Sequence, residues 1–170
     1  MIRSMLFATD LGLYAPYVMQ HALALARTFK AQLYVVHVVE PMGLFAESVL
    51  QSYLDEDVLK DLRSQGVSSV MEGIEHKVLD GFREELGEDH QDLALISTVR
   101  VVQGDPCNVI LEQAEKLGVD LLIVGSHSRD AERTTPIGRT AARVLQLSQV
   151  PVYMVPGCAD GGRKANGPID

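Results

Sequence analysis

Residues 125 to 140 read GSHSRDAERTTPIGRT and follow directly on an apolar run, DLLIVG. A glycine closing one element and a second, Gly138, opening another is an arrangement suited to holding phosphate. The first lets backbone approach an anion closely, and the second leaves amides exposed at a helix N-terminus, which carries roughly half a positive charge. Arg129, Arg133, Arg139 and Arg143 add cations to this stretch, with pairing to Asp130, Glu132 or other surface carboxylates as the competing use. Asp10, just after the first apolar run, is the other chemistry-bearing position. Its carboxylate can accept two hydrogen bonds from vicinal ribose hydroxyls or cap the turn into the next helix, and residue chemistry leaves both open. His37 lies inside an apolar run and reads as a hydrogen-bonded core histidine with no chemistry of its own. Val38 and Val39 can flank a base through packing and backbone contacts.

Other chemistries are excluded or weakened. There is no G-x4-G-K-[ST] run and no evident nucleophile and base pair, so fast turnover is not expected. Cys107 and Cys158 form neither a CxxC pair nor a ligand cluster. Cys107 falls in the first turn of a helical pattern, where the dipole can lower a thiol pKa, and is otherwise a small packed residue. A net charge of -8 and a pI near 5.1 argue against a nucleic-acid binder. No stretch approaches the roughly 20 apolar residues of a membrane span, and the opening MIRSMLFATDLG lacks a signal-peptide core, so a cytoplasmic protein with no membrane contact is expected.

These residues need elements to bring them together. Nearly continuous apolar runs at SMLFAT, QLYVVHVV, DLLIVG and PVYMV predict strands buried on both faces, and STVRVVQG at 97 to 104 adds a more alternating one. Between them, APYVMQHALALARTFK places Val18, Ala22, Leu25, Ala26 and Phe29 at helical spacing, with Pro16 in the first turn. In DPCNVILEQAEKLG, Asp105 is a cap, Pro106 the first helical residue and Gly118 the stop. Residues 54 to about 90 predict one long helix broken near Gly66, with Gly73 and Gly81 weakening it. A last helix is expected from about 137 to 148. At 170 residues one domain is expected, spanning 1 to 156, with a disordered tail over 157 to 170. The alternation predicts an α/β fold, a parallel sheet with helices on both faces, with ligands beyond the carboxyl ends of the strands.

Taken together, FATDLG, VVHVVEP, QGDPCNVILEQAEKLGVDLLIVGSHS and IGRTAARVLQLSQVPVYMVP resemble the universal stress protein family over residues 2 to 156. The resemblance implies a Rossmann-like, adenine-nucleotide alpha-hydrolase-like fold with five parallel strands in the order 3-2-1-4-5. It also implies a homodimer joined through residues 150 to 156, and ATP or another adenine nucleotide in a cleft between the first and fourth strands. Phosphates in such proteins rest on a G-x2-G-x9-G-[ST] loop. Gly125 and Gly138 match its first and third glycines, while Ser128 and Arg139 stand where the second glycine and the hydroxyl would be. Ser128 adds a side chain at the backbone's approach to phosphate, and Arg139 replaces a small hydroxyl with a long cation. By the same resemblance Asp10 holds the ribose and Ala8 and Val38 neighbour adenine. The candidate site thus comprises Ala8, Thr9, Asp10, Val38, Gly125, Ser126, His127, Ser128, Gly138, Arg139 and Thr140, with Mg2+ only alongside ATP. The implied role is stress-response binding and signalling, with a regulatory protein as a further partner. Alternatives are a stress protein that binds no nucleotide and acts through protein contacts alone, and a slow ATPase or autophosphorylating protein using Ser128, Thr134 or Thr135. A response-regulator receiver fits poorly, because at the phosphoacceptor place QGDP offers Asp105, better explained as a cap, and VPGC has no lysine. A flavodoxin-like FMN carrier fits no better, since DLGLYAP offers only Gly12 as a phosphate loop.

Overall fold

The computed structural model describes residues 1–12, 14–41, 52, 66–86, 90–127 and 137–157. The stretch 54–65 of the expected long helix, the loop residues 128–136 with Ser128, Thr134 and Thr135, and the tail 158–170 with Cys158 lie outside the described residues. The elements run β1 (Ser4–Thr9), α1 (Ala15–Phe29), β2 (Gln32–Val39), α2 (Gly66–Leu86), α3 (His90–Leu93), β3 (Ile96–Gln103), α4 (Pro106–Leu117), β4 (Leu121–Gly125), α5 (Arg139–Leu147) and β5 (Val152–Val155). All five strands pair in parallel, in the order β3-β2-β1-β4-β5.

The continuous apolar runs reflect burial on both faces. Along β1, Met5 and Phe7 pack in one core with α1, α2 and Ile123, whereas Leu6 packs in a second core with α4, Leu122 and Val144 of α5. Cys107 belongs to that second core and is 1% exposed. Desolvation pushes its thiol pKa up, with Asp105 adding to the rise and Arg143 partly opposing it. The packed-residue reading of this cysteine therefore holds over the reactive one.

Local signals set the helix ends. Asp105 accepts a hydrogen bond from Asn108 N through Oδ1 (3.0 Å), and Gly118 ends α4 in the left-handed region at φ 59°. That conformation costs glycine little. The buried stripe of α1 differs from the expected one: Val18, Met19, Ala22, Leu23 and Ala26 form it, while Phe29 is 43% exposed. Phe29 is the helix's last residue, and the left-handed Lys30 turns the chain away there.

The two sheet edges are treated differently. At β3, Val101 N donates to Glu75 Oε1 of α2 (3.0 Å), so an edge amide is taken by the chain's own helix. At the other edge β5 pairs with β4 alone among the described residues, and Tyr153 is 36% exposed.

The start of β1 is fastened by Asp120, whose Oδ2 accepts from Arg3 N (2.8 Å) and Ser4 N (3.1 Å). Those two amide bonds hold the carboxyl pKa below its ordinary value. A carboxyl depressed on folding contributes stability that is fully present above its unfolded pKa of about 3.9 and is lost as pH falls through the folded value. Asp120→Asn should accordingly lower the urea midpoint at pH 6, with the gap to the parent closing as pH falls below about 4. A gap that stays constant down to about pH 2.5 would remove Asp120 from the acid response.

Candidate functional site

β1 is the point from which strand order reverses, with β2 and β3 on one side and β4 and β5 on the other. Open parallel sheets bind ligands outside the carboxyl ends of the strands at such a point. The pairing shows where the opening begins. β1 and β4 stay in register as far as Ala8↔Val124; beyond that, Thr9 pairs with His37 of β2, and Gly125 with Val155 of β5. A cleft of about 510 Å³ lies there, within the roughly 300–1,000 Å³ typical of small-molecule sites.

Every candidate residue except Ser128, which is outside the described residues, lines this one cleft: Ala8, Thr9, Asp10, Val38, Gly125, Ser126, His127, Gly138, Arg139 and Thr140. Residues far apart in the chain meet because several strand ends and the start of α5 face the same opening. Gly125 is close-packed, since an added Cβ would lie 3.2 Å from Val18 Cγ2.

The turn out of β1 is built from side-chain bonds to its own backbone. Thr9 Oγ1 accepts from Leu11 N (3.1 Å), and Asp10 Oδ1 accepts from Gly12 N (2.8 Å). Asp10 therefore does make the turn, and it remains exposed at the cleft. One carboxylate oxygen serves the turn and the second has no hydrogen-bond partner among the described residues, so turn formation and ligand contact are not mutually exclusive uses.

At the opposite wall, Ser126 fastens three elements. Its N donates to Val155 O (2.8 Å), its O accepts from Gly138 N (2.7 Å), and its Oγ accepts from Gly157 N (2.8 Å). The amide of Gly138 is thus already engaged and does not offer itself to an anion. The first intrahelical bond of α5 runs from Ala142 N to Gly138 O (2.9 Å), which leaves the amides of Arg139, Thr140 and Ala141 at the open end of the helix. All three residues line the cleft. Arg139 is exposed and has no ion pair among the described residues, whereas Arg143 reaches Asp105 Oδ2 at 3.4 Å.

Several lining residues escaped sequence reading. Glu40 adds a second carboxylate, and Tyr14, Pro106 and Ile110 contribute apolar wall. Glu40 directly follows β2, and nothing in the residue pattern distinguishes it from other exposed acids. Ser126 Oγ also lies 2.8 Å from His127 Nδ1, a serine and histidine contact that the sequence did not reveal. Ser126 is only 3% exposed and its hydroxyl is held by Gly157, so the contact acts as a fastening. His37 is hydrogen-bonded, as expected, through Nδ1 to Thr9 O at 2.9 Å, yet it lines the cleft.

The family model for the universal stress protein family matches residues 1–156. The chain belongs to the universal stress protein family. Among curated universal stress proteins, YxiE of Bacillus subtilis is 27% identical over 156 residues, covering 91% of this chain and 99% of that protein. Universal stress protein MJ0577 of Methanocaldococcus jannaschii is 25% identical over 167 residues, covering 91% and 95%. The solved structure of MJ0577 superposes with a TM-score of 0.65 at 20% identity, covering 94% of this chain and 99% of that one. A universal stress protein solved in complex with cAMP superposes with a TM-score of 0.52 at 16% identity, covering 91% and 97%. At those identities the solved structures support the universal stress protein fold and nothing finer. Among the described residues, no helix is long and apolar enough to cross a membrane.

Proposed function

We propose that this universal stress protein is a cytoplasmic stress-response binding and signalling protein whose cleft holds ATP or another adenine nucleotide. The observation that carries this reading is the convergence on one opening of a carboxylate, apolar wall, open helix amides and an arginine with no ion pair among the described residues. Asp10 is suited to the ribose hydroxyls, and Ala8 and Val38 offer backbone and packing beside a base. The amides of Arg139, Thr140 and Ala141, with the Arg139 guanidinium, suit phosphate. A relative crystallised with cAMP is in keeping with an adenine ligand. Mg2+ would enter only with ATP, held through the phosphates, since among the described residues no group of three His, Cys, Asp or Glu side chains is placed to hold a metal ion.

Association through residues 150–156 belongs to the same proposal. Leu145, Leu147 and Tyr153 are 40%, 54% and 36% exposed on α5 and β5, and an open strand edge with apolar neighbours favours a second copy. Residues 1–156 form the working domain, and a regulatory protein that reads occupancy is the further partner.

Calorimetric titration of nucleotide-stripped protein with ATP, ADP, AMP and adenosine tests the reading. Binding of all four is expected, strengthening as phosphates are added, in a particle sedimenting at twice the chain mass. Absence of heat at millimolar ligand would instead favour a stress protein acting through protein contacts alone.

A further inference from the structure

We propose that His37 is a positioning residue: it holds the exit turn of β1, and so the cleft carboxylate of Asp10, through a proton carried on Nδ1. The inference rests on the nucleotide reading for its functional consequence, although its structural content stands apart from it.

The partner of His37 Nδ1 is the carbonyl oxygen of Thr9 at 2.9 Å. A carbonyl can only accept, so Nδ1 must carry the hydrogen, and in the neutral ring Nε2 is then an acceptor. This is the reverse of the Nε2–H tautomer favoured by a free histidine side chain in water. Thr9 is the last residue of β1, beyond the final β1 and β4 pair at Ala8↔Val124. The histidine side chain therefore bonds a carbonyl at the place where the sheet splits.

The turn after Thr9 needs anchoring. Leu11 has φ 57°, a left-handed conformation that a side-chain-bearing residue holds only where its surroundings enforce it. Thr9 Oγ1 and Asp10 Oδ1 bond Leu11 N and Gly12 N within the turn itself. Internal bonds of that kind shape the turn but do not fix it relative to the sheet. His37 supplies a bond from a neighbouring strand, and it does so from the cleft wall.

Substitutions that move the donor test this. The Asn amide nitrogen falls near the Nδ1 position and the Gln nitrogen near Nε2, so His37→Asn keeps the donor to Thr9 O, His37→Gln displaces it and His37→Leu removes it. In the ligand-free full chain, two-bond 15N correlation spectra should show the Nδ1–H tautomer for His37. Amide exchange at Leu11 and Gly12 should quicken in the Gln and Leu variants and stay near parental in the Asn variant. Adenosine affinity should fall roughly 3–10-fold in Gln and Leu, as for loss of one hydrogen bond, and change less in Asn. An Nε2–H tautomer, or parental exchange at Leu11 and Gly12 in His37→Leu, overturns the proposal. Parent protein that binds no adenosine overturns the nucleotide reading instead, and the tautomer and exchange results still decide the role of His37 in the turn.

Discussion

Phe7→Ala is expected to lower stability by about 3–5 kcal/mol, as for other large aromatic truncations in closed cores. Phe7 is 1% exposed and stands opposite Val35 on one side and Ile123 on the other. Its face packs in the same core as Met19 and Leu23 of α1. A strand hydrogen-bonded along both edges cannot shift to close the space, so most of the cavity should persist. For a chain of this length the melting temperature should drop roughly 6–20 °C. The urea midpoint should fall with little change in slope, marking a change in stability rather than in the surface exposed. A loss below about 1 kcal/mol would mean that the core had collapsed around the smaller side chain.

Arg139→Ser should weaken ATP binding about tenfold or more while leaving adenosine nearly unchanged. A hydrogen bond to a charged partner contributes about 1.5–3 kcal/mol, and an exposed guanidinium belongs at the lower end, where about 1.4 kcal/mol corresponds to a factor of ten. Arg139 is suited to this role because it lines the cleft, opens α5 and has no ion pair among the described residues. The variant restores the small hydroxyl of the family loop, which makes the outcome informative in both directions. Tighter ATP binding would identify the arginine as an obstruction to a hydroxyl-based loop. Titration at two salt concentrations separates these cases, since a lost cation also lowers the salt dependence.

The elements were largely legible because burial and capping are written in residue types. Covered faces make β1 and β4 almost wholly apolar, and Asp105, Pro106 and Gly118 bracket α4 to the residue. Four residues are too few to show a period, so α3 was invisible. The long helix was legible over 66–86, while its expected earlier part lies outside the described residues. The site was legible as a set of strand ends, because the carboxyl ends of parallel strands share one edge of the sheet whatever their separation in the chain. Its internal wiring was not. Whether Gly138 N faces a ligand or Ser126 O, and which nitrogen of His37 holds a proton, depend on tenths of an ångström between chain-distant groups. Residue type alone does not encode such distances.

The bond from Val101 N to Glu75 has a consequence for growth of the sheet. Strand addition needs a row of unsatisfied backbone groups, and the β3 side has committed part of its row to α2. Extension is then directed to the β5 side. In the proposed pair the two β5 edges meet and are consumed, leaving outward only β3 edges already partly engaged by α2, which favours termination at a pair over propagation into a fibre.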